Sequence, residues 1–548
     1  MAVNIADLFE HAVDAFGDRV AIACEDRTAT FAELEGRANQ LAHHLAGQGF
    51  GPGDHIGLYS RNSIEAIETM LAAYKLRAVV VNVNYRYVEN ELRYLFDNAD
   101  LAGLVHERRY APLVEAVLPD MPRIRHHLVV EDGTDTASTG TRYEDALSDQ
   151  SAGRDFGERS PDDLYLLFTG GTTGHPKGVM WRHEDVWRVL GGGIDFVTGE
   201  PLPDEWAQSQ RGKDSPGLTR LACAPLIHGA AQWAALPALF AGDTVVLMPK
   251  FDPHEVWRAI ARHQVRVVTI VGDAMARPLI EAFHEGSYDA SSLVAISSHA
   301  ALFSASVKEQ YLEALPNVVI TDAIGASESG FTGIGMVVKG APQSPGGPRV
   351  NSGPSTIVID EDDRPVERGQ TGRIARGGHV PLGYYKDPEK SATIFVEVDG
   401  ARYVVPGDYA RLEDDGTITL LGRGNMSVNT GGEKVFPEEV EEALKSHPDV
   451  FDALVVGVPD ERLGQRVAAL VQPRAGRGVD YVDLDSHVRQ RIAGYKAPRS
   501  VWLVDEVGRA PSAKPDYRWA KEHTERHEPT WQAPTQAQAG GAHANAGV

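Results

Sequence analysis

Leu166-Leu167-Phe168-Thr169-Gly170-Gly171-Thr172-Thr173-Gly174-His175-Pro176-Lys177-Gly178-Val179 is the stretch whose reading decides the fold. An apolar strand runs into a loop of glycines and threonines, and a lysine closes it. Glycine lets backbone N–H groups approach and wrap an anion. Threonine hydroxyls add donors, and Lys177 adds a point charge. This is phosphate-binding logic on the end of a strand. It is not a Walker loop, because no adjacent Gly-Lys precedes a Ser or Thr.

The chain around this loop repeats one texture. Asp54–Tyr59 and Ala78–Val83 are short apolar runs, and a helical pattern, Ser63 to Lys75, lies between them. Similar runs recur at Thr244–Met248, Val265–Val271, Val294–Ser297 and Val318–Thr321. Short buried strands alternating with helices predict a parallel sheet wrapped in helices. Thr30 followed by Glu33 predicts a capped helix near the N-terminus. After about residue 350 the pattern becomes antiparallel, with strands at Thr356–Asp360 and Gly372–Ala375. Tyr409–Leu412 and Thr417–Leu421 form a hairpin about an acidic turn. Gly422-Arg423-Gly424-Asn425 then breaks the pattern. Pro437, with Glu438 and Glu439 in the first turn, starts a helix of a smaller unit. The expected class is α/β: a large N-terminal domain of fused α/β subdomains plus a distorted antiparallel region, with a small α+β C-terminal domain. The boundaries are 1–422, a linker at 423–425, 426–523, and a disordered tail over 524–548.

Composition bounds the function. With 548 residues the chain is too long for one ordinary core. Hydrophobic residues at 42% and charged residues at 24% exclude disorder, collagen and coiled coil as descriptions of the whole. The 77 acidic residues outnumber the 53 basic ones, and a net charge of −24 argues against a nucleic-acid partner. Two cysteines, Cys24 and Cys223, are too few for a disulfide scaffold or a structural zinc site and suit a reducing compartment. The N-terminus carries Asp7 and Glu10 and no signal-peptide pattern. Leu221 to Gly242 lacks Asp, Glu, Lys and Arg and is long enough to span a bilayer. Pro225, His228, Gln232 and Pro237 instead mark it as a buried segment beside a ligand pocket. A cytoplasmic protein without a membrane span is expected.

The phosphate loop resembles that of the adenylate-forming superfamily: acyl-CoA synthetases, stand-alone adenylation domains and beetle luciferases. Further likenesses follow in the family's order. Ile324-Gly325-Ala326-Ser327-Glu328 resembles its Tyr-Gly-x-Thr-Glu, and Gly407-Asp408 its Thr-Gly-Asp. Gly422-Arg423 with Gly431-Gly432-Glu433-Lys434-Val435-Phe436-Pro437 resembles its boundary and small-domain motif. Gly494–Arg499 and Lys514 complete the set. A narrower likeness, to bacterial CoA ligases for steroid side-chain or other bulky terpenoid acids, rests on Val179–Asp185, Gly272–Pro278 and Lys514–Lys521.

The resemblance implies a two-step reaction. A carboxylic acid and ATP form acyl-AMP and pyrophosphate; coenzyme A then takes the acyl group and AMP leaves. It implies ATP and AMP contacts from Thr169, Gly170, Gly171, Thr172, Thr173, Gly174, Lys177, Gly325, Ala326, Ser327, Asp408 and Arg423. Glu328 and Thr172 would hold Mg²⁺, which favours one or two carboxylates plus phosphate oxygens. Asp408 would accept both ribose hydroxyls. His228 would line the carboxylate site; by itself, a histidine in an apolar run is more often a core residue. Lys514 would neutralise charge as pyrophosphate leaves. Gly431, Gly432 and Glu433 would line the pantetheine tunnel after the small domain swings about Asn425.

Several positions depart from the family pattern. Gly170 replaces a serine, Ile324 an adenine-stacking aromatic, Asn425 an Asp or Lys, and Asn429 a lysine. Ala513 replaces the glycine before the catalytic lysine. If that position needs a positive φ, alanine strains it by about 1 kcal/mol or more. Adenylation would then be impaired relative to thioester formation, with acyl-AMP supplied in the extreme by an upstream ligase. A carrier-protein-loading adenylation enzyme and an inactive nucleotide-binding scaffold are the competing readings. A luciferase-like oxygenase is disfavoured by the C-terminal residues, which are not Ser-Lys-Leu. A homo-oligomer is expected.

Overall fold

Short Val/Ile-rich runs become central strands because β-branched side chains pack well on both faces of a covered sheet. The computed structural model describes residues 3–169, 176–195, 200–341, 348–353, 355–430, 433–460, 463–510 and 513–532. Among them, one five-stranded parallel sheet has the order Val79–Asn82, His55–Tyr59, Leu101–Glu107, His126–Val130, Thr141–Arg142. A larger sheet has a parallel centre: Val20–Cys24, Thr244–Leu247, Thr219–Ala222, Val267–Ile270, Ala295–His299 and Val319–Ala326. From Gly330–Val337 onward it turns antiparallel and runs through Arg349–Ser352 to the hairpin Asp408–Leu412/Ile418–Arg423.

The helices follow local rules. Phe31–Gly47 starts at Thr30, whose side chain accepts from Glu33 N while Glu33 Oε2 accepts from Thr30 N, a full capping box. Ile64–Lys75 is capped by Ser63, which accepts from Ala66 N at 3.1 Å. It is buried along its whole length between the two parallel sheets' cores.

The C-terminal unit has its own six-stranded sheet, built around the hairpin Val450–Asp460/Gly464–Pro473. The helix Pro437–Lys445 seals one face with Val440, Ala443 and Leu444. Its polar flank meets the large body. Arg277 Nη2 donates to Lys445 O at 3.3 Å, Ala305 N to Glu442 Oε1 at 3.4 Å, and Arg474 pairs with Glu281 at 2.8 Å.

The helix Tyr481–Arg489 starts where Asp480 caps it, accepting from Asp483 N. One expectation needs correction. Disorder from residue 524 is wrong as far as 532. The helix Tyr517–Arg526 continues past 524, and Trp531–Gln532 pairs with Ser500 and Val501. Trp502 Nε1 donates to His527 O at 2.9 Å and Leu503 N to Thr530 Oγ1 at 2.9 Å, which ties the segment down. The remaining tail lies outside the described residues.

Candidate functional site

The strand Leu164–Thr169 and its return strand Lys177–Arg182 pair antiparallel, with Thr169 opposite Lys177. Residues 170–175 of the loop between, Gly170, Gly171, Thr172, Thr173 and Gly174 among them, lie outside the described residues, as do Gly431 and Gly432. Thr169 lines a cavity of about 1630 Å³. His228, Gly325, Ala326, Ser327, Glu328, Asp408, Arg423 and Lys514 line the same cavity, although they are far apart in sequence.

Each arrives by a local device. Val319–Ala326 turns back into Gly330–Val337, and a Cβ at Gly325 would collide with the Gly330 carbonyl, so the turn needs glycine there. Glu328 sits in that turn, and Tyr384 Oη donates to its Oε1 at 2.8 Å. Trp181 Nε1 donates to Ser327 O at 3.0 Å and fixes the turn's other side. Asp408 and Arg423 are register partners in the hairpin, with Nε to Oδ1 at 3.3 Å. Burial first, and then Glu328, push the Asp408 carboxyl up, against the Arg423 charge. Asp408 raises the Arg423 pKa in return.

His228 precedes the helix Gly229–Phe240. Its Nε2 has no hydrogen-bond partner among the described residues. Burial, then the charges of Lys514 and Arg86, push the imidazole down to about 3. It is therefore neutral, with one ring nitrogen left without a hydrogen-bonding group among the described residues.

Lys514 reaches this cluster from the C-terminal unit. Ala510 N donates to Lys514 O at 2.8 Å and Ala513 N to Ala510 O at 2.9 Å, so a tight loop carries it. Arg509, at the loop's base, donates from Nε to Asp452 Oδ2 at 3.1 Å. Lys514 keeps an open surface toward the cavity, yet both units enclose it. That enclosure and Arg423 lower its pKa, while Glu328 and Asp408 oppose the shift. Ala513 adopts φ +62°, so the condition for strain at this position is met.

Lys177 is placed differently from the other candidates. Its Nζ pairs with Asp387 at 2.6 Å and lies 5.6 Å from the Tyr384 ring centre. Asn425 stands in the single 3₁₀ turn Gly424–Met426 that joins the two units, and Glu433 begins the strand Glu433–Val435. Ile324 packs beneath the cavity with Val350 and Ile374. Tyr384, Asp387 and Arg86 were not singled out from the sequence. None carries a spacing signal, since each reaches the site only through the fold.

The carboxylate donor set fits Mg²⁺ held jointly with substrate phosphates. Glu328 faces the cavity, and no cluster of three or more His, Cys, Asp or Glu among the described residues makes an all-protein cage.

The family model for AMP-binding enzymes matches residues 9–385, and that for the AMP-binding enzyme C-terminal domain matches 439–514. The chain belongs to the AMP-binding enzyme family. It is 57% identical over 535 residues to a 3-oxocholest-4-en-26-oate–CoA ligase of Rhodococcus rhodochrous, covering 96% of each chain. It is 57% identical over 531 residues to a medium/long-chain-fatty-acid–CoA/3-oxocholest-4-en-26-oate–CoA ligase of Mycobacterium tuberculosis, covering 96% of this chain and 97% of that one. The fold matches the anthranilate CoA ligase AuaEII (TM-score 0.82, 22% identity, 96% and 98% coverage) and ATP-bound MatB from Rhodopseudomonas palustris (TM-score 0.80, 24% identity, 96% and 99% coverage).

Proposed function

We propose that this chain, an AMP-forming acid–thiol ligase, joins a bulky polycyclic acid, foremost a 3-oxo steroid with a side-chain carboxylate, to coenzyme A. The observation that carries the reading is the single cavity that gathers Lys514, His228, Glu328, Asp408 and Arg423. Its volume exceeds the roughly 300–1,000 Å³ of an ordinary ligand site. That leaves room for a nucleotide and a large acid together.

In the first step the substrate carboxylate oxygen attacks the α-phosphorus of ATP, and pyrophosphate leaves. Asp408 and Arg423 hold the ribose. The ammonium of Lys514 offsets the charge that builds on the phosphate oxygens. Neutral His228 orients the acid by a hydrogen bond without adding charge. Glu328 would hold Mg²⁺, which supplies charge neutralisation at the phosphates. Thr172, Lys177 and the loop glycines are read as the remaining phosphate contacts.

In the second step the CoA thiol attacks the acyl carbonyl, and AMP leaves. We place the boundary after 422 and the hinge at 423–425. The small unit turns there, withdraws Lys514, and brings Gly431, Gly432 and Glu433 to the thiol's path. Lys514 standing among the ATP-site candidates supports the first-step pose, and with it adenylation by this chain itself. Free, buried Cys24 and Cys223 support a reducing, cytoplasmic setting. Among the described residues no helix is long and apolar enough to cross a membrane.

Turnover of 3-oxocholestenoic acid with ATP, Mg²⁺ and CoA tests the reading. Acyl-CoA and AMP are the expected products; formation of neither from any steroid, diterpenoid or fatty acid overturns it.

A further inference from the structure

One arm of the cavity is a channel between the helix Gly229–Phe240 and one face of the large sheet. The helix contributes Gly229, Ala230, Trp233, Ala234, Pro237 and Ala238, which recur at helical spacing along one stripe. From His228 to Ala241 that stripe is about 20 Å long, at 1.5 Å per residue. The sheet contributes alternate residues in register. His299 and Ala323 form a row at the His228 end. Thr269, Ser297 and Thr321 form the middle row. Arg220, Val267 and Ala295 form the far row. The near and far rows are about 13 Å apart, at roughly 3.3 Å per strand residue. The alternating half-buried and buried pattern of Ala295–His299, in the middle of a sheet, is the mark of this channel.

The far row carries one charged group. Arg220 Nε pairs with Asp243 Oδ2 at 2.6 Å. Among the described residues its two Nη groups have no partner, and the side chain remains 37% exposed. Around it are Val267, Ala295 and the small residues at the end of the helix. An arginine held by one edge, at the far end of a small-residue channel, has its planar fork left to donate to a ligand oxygen.

We propose that Arg220 is a specificity residue that donates to a carbonyl oxygen at the end of the acid remote from its carboxylate. This rests on the reading of the site as an acyl-CoA ligase for long, rigid acids. A ring ketone opposite a side-chain carboxylate has the required arrangement. A polar donor built to meet a substrate oxygen discriminates strongly against the analogue that lacks it, because the donor is then left unpaired.

The test compares kcat/KM for 3-oxocholest-4-en-26-oate with that for the otherwise identical acid lacking the 3-oxygen. Arg220→Met is expected to lower the ratio of the two by about tenfold or more, the size of one hydrogen bond to a charged donor. Arg220→Gln, which keeps a donor beside Asp243, is expected to give a ratio between wild type and Arg220→Met, and stands in if the methionine variant does not fold. A ratio unchanged in the variants, or an equal loss on both acids, overturns the proposal and leaves Arg220 as a brace for Asp243. Wild-type protein inactive on both acids would instead overturn the ligase reading on which it rests.

Discussion

Ala513→Gly is the most discriminating single change. Ala513 sits at φ +62°, immediately before Lys514, in the loop closed by the Ala510–Lys514 hydrogen bond. A left-handed alanine costs roughly 1–2 kcal/mol. Glycine removes that strain but gives up about 0.5–1 kcal/mol when the loop orders. The net gain is about 0.5–1 kcal/mol, or roughly two- to fivefold in the population with Lys514 seated, since RT is about 0.6 kcal/mol. The strain exists where Lys514 is seated, so the gain belongs to the first half-reaction. Single-turnover pyrophosphate release without CoA should rise two- to fivefold, by about that factor. Acyl-CoA formation from synthetic acyl-AMP should not change. Unaltered pyrophosphate release, or an equal rise in both half-reactions, would refute the assignment of this strain to adenylation.

Three further outcomes are expected. Lys514→Met should cut pyrophosphate release by about a hundredfold or more, the scale of a lost electrostatic contact to a transition state, while thioester formation from acyl-AMP persists; a parallel loss of both halves would contradict its role. His228→Ala should lower kcat/KM for the acid about tenfold, one hydrogen bond to a carboxylate, and leave the pH profile between about 5 and 7 unchanged. Burial and the charges of Lys514 and Arg86 already hold that imidazole at about 3, so it does not titrate in that range. Glu438 is pushed up to about 8 from 4.5 by burial and then by Glu441, and its Oε2 has no partner among the described residues. Between those values the folded protein keeps a proton that the unfolded chain has lost, so this group costs stability as pH rises, up to about 1.4 kcal/mol per unit. Glu438→Gln should raise Tm relative to wild type at pH 8 and lose that advantage near pH 4.5; a lower Tm at pH 8 would count against it.

Local features were legible in the sequence where the physics is local. The Thr30–Glu33 capping box, the parallel runs at Thr244–Leu247 and Val267–Ile270, and the hairpin ending at Arg423 each follow from a few neighbouring residues. The strained position of Ala513 was also readable, because a glycine is expected there and alanine has a definite cost at positive φ. The tail was misread because the Gln, Ala, Gly and His that dominate after 532 masked Trp531, whose strand pairing orders the segment before it. The channel was invisible for a different reason. It exists only where the small-residue stripe of Gly229–Phe240 faces alternate residues of four strands. Tyr384, which holds Glu328, and Asp387, which pairs with Lys177, act across 56 and 210 positions of chain. No short-range pattern marks such partners.

One split assay of the unaltered protein with 3-oxocholestenoic acid tests the two-step reaction most directly. Pyrophosphate release from ATP without CoA, together with acyl-CoA formation from synthetic acyl-AMP, is the predicted result, and it means that one cavity carries both steps. Thioester formation without pyrophosphate release would contradict the account, because Lys514 would then stand among the ATP-site residues without serving adenylation.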